Sequence, residues 1–227
     1  MHLDETFVTI AGYDMSYLEF FGTVLNLLSV WLVVKRHVLT WPIGIAGSVL
    51  FAVLFFDIRL YSDLVAQIYF VVTGFYGWLI WQRPPRSGES TAIKWLSWRA
   101  IAVTSGIAVV GTSAMGVFMA HVDDILPAIF SSPAAYPYID ALQTILSFIA
   151  QILMAHRKIE NWILWIIVDV VSIGLYLATG VAFVAFLYAV FLVLAVRGLI
   201  EWWAVAEARG STQEPVLIAP LETQVLP

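Results

Sequence analysis

Between residues 16 and 203 the sequence falls into seven apolar runs, at about 16–34, 38–56, 60–82, 97–120, 136–156, 160–178 and 180–203, each bounded by charges or by Pro, Gly and Ser. An apolar run of about 20 residues crosses the bilayer core as a helix, and in lipid only helices or closed barrels satisfy their own backbone groups. The fold class expected is therefore an all-α membrane protein with seven transmembrane helices. Composition agrees: 61% of residues are hydrophobic and 12% charged, against roughly 45–50% and 25% in soluble domains. The segment "QRPPRSGESTAIK" reads as a polar linker and "STQEPVLIAPLETQVLP" as a disordered tail. The first residues, "MHLDETFVTIAGYDM", hold no Lys or Arg, so they are not expected to be a cleaved signal peptide.

Several functions are disfavoured at this stage. Without cysteine there is no disulfide framework, thiol nucleophile or thiolate metal site. His2, His37, His121 and His156 fall in loops or at helix ends, so neither a buried Ser–His pair nor an HExxH zinc site is expected. An intramembrane protease using two aspartates needs a second deep acid opposite Asp169, and Asp63 and Asp140 are too near helix ends. There is no phosphate-binding P-loop for ATP-driven transport and no basic patch for nucleic acid. The chain is expected to be no enzyme and to need no metal or cofactor; its partners are the lipid bilayer and a small molecule.

Lys and Arg orient the bundle. Lys35, Arg36, Arg83, Arg86, Lys94, Arg99, Arg157, Lys158, Arg197 and Arg209 fall on one side and Arg59 on the other. This predicts an external N-terminus and a cytoplasmic C-terminus in the cytoplasmic (inner) membrane. Tryptophans fall towards the cytoplasmic half; Trp41, Trp78, Trp81, Trp95, Trp98, Trp202 and Trp203 read as anchors in the headgroup belt. Shifting the chain on itself by 121 residues superposes Tyr17 on Tyr138, Arg36 on Arg157, Trp41 on Trp162, Gly77 on Gly198 and Trp81 on Trp202, and places Glu19 on Asp140 and Ser48 on Asp169. A 3+1+3 arrangement follows, with two parallel three-helix repeats, as in some transporters. The expected organisation is an external segment 1–15, a first repeat 16–82, a cytoplasmic linker 83–96, a connecting helix 97–120, an external loop 121–135, a second repeat 136–203 and a cytoplasmic tail 204–227.

Polar residues within spans mark candidate chemistry. A central Asp costs roughly 2.5–3.5 kcal/mol on insertion scales. The fifth helix carries Asp140, Gln143, Thr144, Ser147 and Gln151 on one stripe, and the sixth carries Asn161, Trp162, Trp165, Asp169, Ser172 and Tyr176 largely on one face. The third helix adds Asp63 and Gln67, the seventh Tyr188, and the first Glu19, Thr23 and Asn26. Ser147, Thr144 and Asn26 also suit plain interhelical hydrogen bonding, and solvation at the interface suffices for Asp63, Glu19 and Asp140. Asp169 is different, because it sits mid-helix with no Lys or Arg in an adjacent half-span. A carboxylate beside indole rings suits a flat organic cation, and Gln67, Gln143, Ser147 and Asn161 suit a polar substituent such as a sugar.

At "WPIG" from Trp41, "LYSDLVAQIYF" around Gln67, "YGW" at Tyr76, "ENWILWIIVDVVSIGLY" from Glu160 and "LYAVFLVLA" around Tyr188, the chain resembles the PnuC family of vitamin transporters, best known for nicotinamide riboside uptake. The resemblance runs over nearly all seven spans. It implies facilitated diffusion by alternating access with trapping by a cytoplasmic kinase, and a homotrimer. It also implies substrate contacts at Gln67, Gln143, Asn161, Trp162, Trp165, Asp169 and Tyr188, the two tryptophans sandwiching a pyridine ring. Thiamine or riboflavin remain alternative cargoes. A SWEET-like sugar carrier or a purely structural membrane protein are the rival readings.

Overall fold

The computed structural model describes residues 6–10, 12–58, 61–83, 92–126 and 135–211, without the side chains of residues 61, 62 and 209–211. Arg59, Arg86, most of the linker, part of the 121–135 loop and the tail after 211 lie outside the described residues. Two strands, β1 (Thr6–Ile10) and β2 (Tyr13–Ser16), precede eight helices: α1 (Tyr17–Val34), α2 (Thr40–Asp57), α3 (Tyr61–Gln82), α4 (Trp98–Ala120), α5 (Val122–Ile125), α6 (Pro137–Ala155), α7 (Glu160–Ala178) and α8 (Ala182–Ser211). All but α5 are long and apolar enough to cross a membrane.

Local chemistry sets the ends. The Ser16 and Ser97 hydroxyls accept from Glu19 N and Ala100 N and so cap α1 and α4. Pro137 opens α6, where its missing N–H costs nothing. The breaks after α1 and α6 are built alike. Among the described residues, Arg36 and Arg157 are the non-glycine residues with positive φ, at 59° and 54°. Around them Arg36 N donates to Val33 O and His37 N to Leu32 O, and 121 residues later Arg157 N donates to Met154 O and Lys158 N to Leu153 O.

In the bundle α2 packs between α1 and α3, and α7 between α6 and α8. The two triplets meet where α3 touches α6 and α1 touches α8, and α4 packs chiefly on α6. At that contact Gly111 and Gly116 of α4 admit Ile145 and Tyr138 of α6. The crossings are sealed by indole rings. Trp81 Nε1 donates to Ala155 O at 3.0 Å, from α3 to the end of α6, and Trp202 Nε1 donates to Val33 O at 3.2 Å, from α8 to the end of α1. Trp41 meets Trp81 edge-on at 5.4 Å and Trp162 meets Trp202 edge-on at 5.5 Å. Trp41 lies over Gly77 and Trp162 over Gly198, where an added Cβ would run into the indole.

This corrects the belt reading for Trp41, Trp81 and Trp202, which are 2%, 8% and 0% exposed. They close the core at one end of the bundle. Trp98, at 80% exposed, keeps the outward position expected of an anchor. The last helix also runs past residue 203 to Ser211, because "AVAEAR" favours helix and Trp203 Nε1 donates to Glu207 Oε1 one turn on. The described end of the linker is docked: Lys94 N donates to Arg157 O, Ile159 N to Lys94 O and Leu96 N to Glu160 Oε1 at 2.6 Å.

Gly77→Ala and Gly198→Ala should each lower unfolding stability in detergent by about 1–3 kcal/mol through overpacking. Gly106→Ala on α4, where a Cβ meets nothing within 4 Å, should leave the melting temperature unchanged or raise it.

Candidate functional site

The candidate site is built on α7. Trp165, Asp169, Ser172 and Tyr176 follow one another at helical spacing, and because α7 lies between α6 and α8 this face is turned into protein. Asp169 is only 4% exposed. Among the described residues the ion pairs are Lys35–Glu201 and Arg197–Glu201, and none reaches Asp169. Gln143 of α6 donates through Nε2 to Ser172 Oγ at 2.9 Å. The Tyr188 hydroxyl of α8 lies within hydrogen-bonding reach of the same serine, and its ring stacks on Tyr176 at 5.5 Å and 14°. Asp169, and more distantly Asp63 of α3, are within electrostatic reach of Tyr188. Three helices thus meet at a carboxyl, an amide and two hydroxyls. Ser172 and Tyr176 belong to this constellation; in the sequence only their spacing from Asp169 on the α7 face marks them.

The other expected residues divide. Ser147 is buried one turn from Gln143, and Gln67 is half-buried on α3. There Tyr69 ties α3 to α6 by stacking on Phe148 at 3.9 Å and donating to its carbonyl. Asn161 and Trp162 sit at the other end of α7, in the tryptophan-packed core. Asn161 Nδ2 donates to Lys158 O at 2.5 Å. Its Oδ1, and the indole nitrogens of Trp162 and Trp41, are buried without a hydrogen-bond partner. Eight residues separate Asn161 from Asp169, about 12 Å along a helix. Trp165 lies between the two groups, half-buried and packed on the rim of the core. Thr144 donates to Asp140 O and Asn26 Nδ2 to Gly22 O within their own helices. Among the described residues no three His, Asp or Glu side chains converge as a metal site.

An unexpected element flanks the end of the bundle where α1 begins. β1 and β2 form an antiparallel hairpin with Val8 opposite Met15 and Ile10 opposite Tyr13, turning at Gly12, whose φ is +81°. The alternation in "TFVTI" followed by Gly12 was its sequence signal. Tyr13 stacks on Phe183 of α8 at 4.8 Å and 15° and donates to Glu19 Oε1 at 2.7 Å. Glu19 is therefore the partner of a phenol, which accounts for its place in the helix. Burial first, then the hydrogen bond and charge of Glu19, with a smaller contribution from Tyr176, push the Tyr13 phenol up to about 12.

Seven helices long and apolar enough to cross a membrane, three of which meet at a buried polar constellation, make this an integral membrane protein of the helical-bundle class. Residues 16–204 match the family model described as nicotinamide mononucleotide transporter, and the chain belongs to that family. It is 31% identical over 218 residues to the nicotinamide riboside transporter PnuC of Escherichia coli, covering 88% of this chain and 90% of that one. It is 27% identical to the riboflavin/roseoflavin transporter RibM of Streptomyces davaonensis, covering 80% and 82%. A crystal structure of the vitamin B3 transporter PnuC shares its fold at a TM-score of 0.66 and 23% identity, covering 85% and 83%.

Ser172→Ala should cost about 1–3 kcal/mol of stability by stranding the Gln143 donor. Pairing it with Gln143→Leu should cost less than the sum of the two single changes, as read from thermal unfolding. Tyr13 gives a pH signature. Its phenol titrates near 10 when unfolded and higher when docked, so its contribution is complete below about pH 10 and is lost as pH rises towards 12. The difference in phenolate absorbance between the parent protein and Tyr13→Phe should titrate near 12.

Proposed function

We propose that this chain takes up nicotinamide riboside by alternating access between the two helix triplets, with the N-terminus outside and the C-terminus in the cytoplasm. The observation that carries the reading is Asp169: a buried carboxyl without a basic partner among the described residues, in a chain 31% identical to a nicotinamide riboside transporter. Riboside carries a pyridinium charge, and a buried acid beside Trp165 receives such a ring through charge and cation–π attraction. Gln143, Ser147, Gln67 and Tyr188 are then the partners for ribose hydroxyls. Trp162 and Asn161, packed in the tryptophan core at the other end of α7, support Trp165 from below and would meet cargo only if that core opened.

Charge also separates riboside from mononucleotide. A phosphate brought against Asp169 would meet like charge, with no Arg or Lys paired to that carboxyl among the described residues. The same property makes trapping simple: once a cytoplasmic kinase phosphorylates the riboside, the product no longer suits the site. The ten-to-one distribution of Lys and Arg between the two sets of loops supports the orientation. A homotrimer is part of the proposal, with the largely exposed α4 as a surface for neighbouring subunits. Riboflavin is the second reading, favoured by the similarity to RibM and by the Tyr176–Tyr188 stack, on which a flat neutral ring could lie.

Calorimetry on the purified carrier should show binding of nicotinamide riboside and none of its mononucleotide. Trp165→Ala and Asp169→Ala should each weaken riboside at least tenfold, about 1.4 kcal/mol, with the protein still monodisperse. Binding of riboflavin alone would replace the cargo; unchanged riboside affinity in both variants would remove the site.

A further inference from the structure

The two ends of the bundle are held together in different ways. At the end where α1 and α6 finish, bonds cross both seams between the triplets. Trp202 donates to Val33 O and Lys35 pairs with Glu201 at 2.8 Å along α1 and α8. Along α3 and α6, Trp81 donates to Ala155 O and the Tyr76 hydroxyl meets His156 Nε2 at 3.0 Å. At the end where α1 and α6 begin, the ties are few. Outward of the Tyr69–Phe148 contact, the α3–α6 seam carries no hydrogen bond or ring pair among the described residues, and Asp63 and Asp140 lie within electrostatic reach of one another as like charges. There the triplets are joined through the hairpin, by the stack of Tyr13 on Phe183 of α8 at 4.8 Å and 15°.

The hairpin is built to travel with α1. Phe7 packs its ring on Tyr17, Phe20 and Phe21 at 4.5, 5.1 and 5.7 Å. Met15 and Leu18, where strand passes into helix, are buried, and Thr9 donates to Asp14 across the strands. The Tyr13 hydroxyl stays on this side too, donating to Glu19 of α1, while the face of its ring reaches the other triplet. When the triplets part, a phenol so placed keeps its hydrogen bond and loses its stack. Tyr13 also sits at the outward end of the polar constellation: it is within electrostatic reach of Tyr176, whose ring stacks on Tyr188, the neighbour of Ser172.

We propose that the N-terminal hairpin is the outer gate of the carrier, the Tyr13–Phe183 stack closing the external mouth of the constellation and parting once in each transport cycle. This rests on the alternating access and the external N-terminus proposed above. With the stack made, the outer ends of α1 and α8 are clasped and cargo in the constellation is cut off from outside. With the stack broken, Phe183 leaves with α8, Tyr13 stays on Glu19, and the way to Tyr176 and Tyr188 is open. A contact between two flat rings suits this duty, because an arriving aromatic ring offers each of them the same kind of partner. No ion need accompany the cargo, since closing the gate moves no charge.

The test uses the absence of cysteine from the chain, so that every introduced thiol is the one read. Tyr13→Cys with Phe183→Cys, bridged from outside by a short bifunctional methanethiosulfonate, should lose riboside uptake and regain it on reduction, whereas each single cysteine treated alike should keep the uptake it had before treatment. Ser172→Cys then serves as a reporter in sealed vesicles of both orientations, labelled by a membrane-impermeant thiol reagent. Adding Tyr13→Ala or Phe183→Ala should speed labelling from the external side about tenfold and slow it from the cytoplasmic side, as a shift of population between the two open states requires. Tyr13→Phe, which keeps the stack, should label as the parent hairpin does. Faster labelling from both sides marks general loosening and overturns the gate, as do unchanged rates in both alanine variants or uptake indifferent to the bridge. Acceleration confined to the cytoplasmic side overturns the orientation and the outer position of the gate together. The labelling needs no cargo, so it decides the gate even where riboside is not the molecule carried, and it decides alone if the double-cysteine protein fails to fold.

Discussion

The bundle depends on a pair of indole N–H bonds that cross between its halves. Trp81 reaches the carbonyl of Ala155 and Trp202 that of Val33, each leaving the third helix of one triplet for the first helix of the other. Lipid gives helices no hydrophobic reason to associate, so close packing and interhelical hydrogen bonds must do so. Both bonds end on carbonyls near a helix C-terminus, where acceptors are left without helical partners. They therefore satisfy backbone groups and join the triplets at once. The geometry requires that Trp41 and Trp162 lie flat over Gly77 and Gly198, since any side chain there would displace the rings that pack on Trp81 and Trp202. Two glycines and four tryptophans thus form a single mechanical unit.

Against this near-symmetry the polar constellation is lopsided. Arg36 and Arg157 adopt the same unusual backbone conformation, and Trp41 and Trp162 share the same contacts and the same unpaired nitrogen. Ser48 and Asp169 occupy matching positions yet differ in chemistry. Structural features recur because both triplets solve the same packing problem. Recognition of an asymmetric molecule needs different groups on its two sides, and divergence gathers where the constellation lies. A residue that breaks the repeat while remaining buried is for that reason a better pointer to cargo than one that obeys it.

The spans, the break positions and the pairing of Arg36 with Arg157 were legible in the sequence because bilayer thickness and exact residue spacing leave simple marks. The role of the tryptophans was not. In a membrane both the lipid face and the core are apolar, so hydrophobicity does not say whether Trp81 points outward or inward; the Gly77–Gly198 match, read together with Trp41 and Trp162, held that information in latent form. Asp169 was legible because an acid at mid-helix is costly anywhere in a span. Its partners were less so, since Ser172 is as common in helix packing as in binding. The hairpin was missed because five residues of β alternation are easily overlooked beside seven long apolar runs, and the extension of α8 because leaving the apolar run does not end a helix whose residues still favour one.

The separation of packing and polar chemistry along α7 bears on how a carrier can move without falling apart. Trp162 is locked against Gly198 and Trp202 at one end, while Asp169, Ser172 and their partners lie about 12 Å away along the helix. A rigid helix held at one end can pivot there and shift its middle relative to α6 and α8 without dismantling the core. The contacts at the middle are polar ones: an amide-to-hydroxyl bond from Gln143 to Ser172, worth about 1 kcal/mol net, beside the Tyr188 hydroxyl and the Tyr176–Tyr188 stack. The indole contacts combine burial, edge-to-face packing and hydrogen bonds, and cost several times more to break. Packing chemistry is thus concentrated at one end of α7 and polar chemistry at its middle.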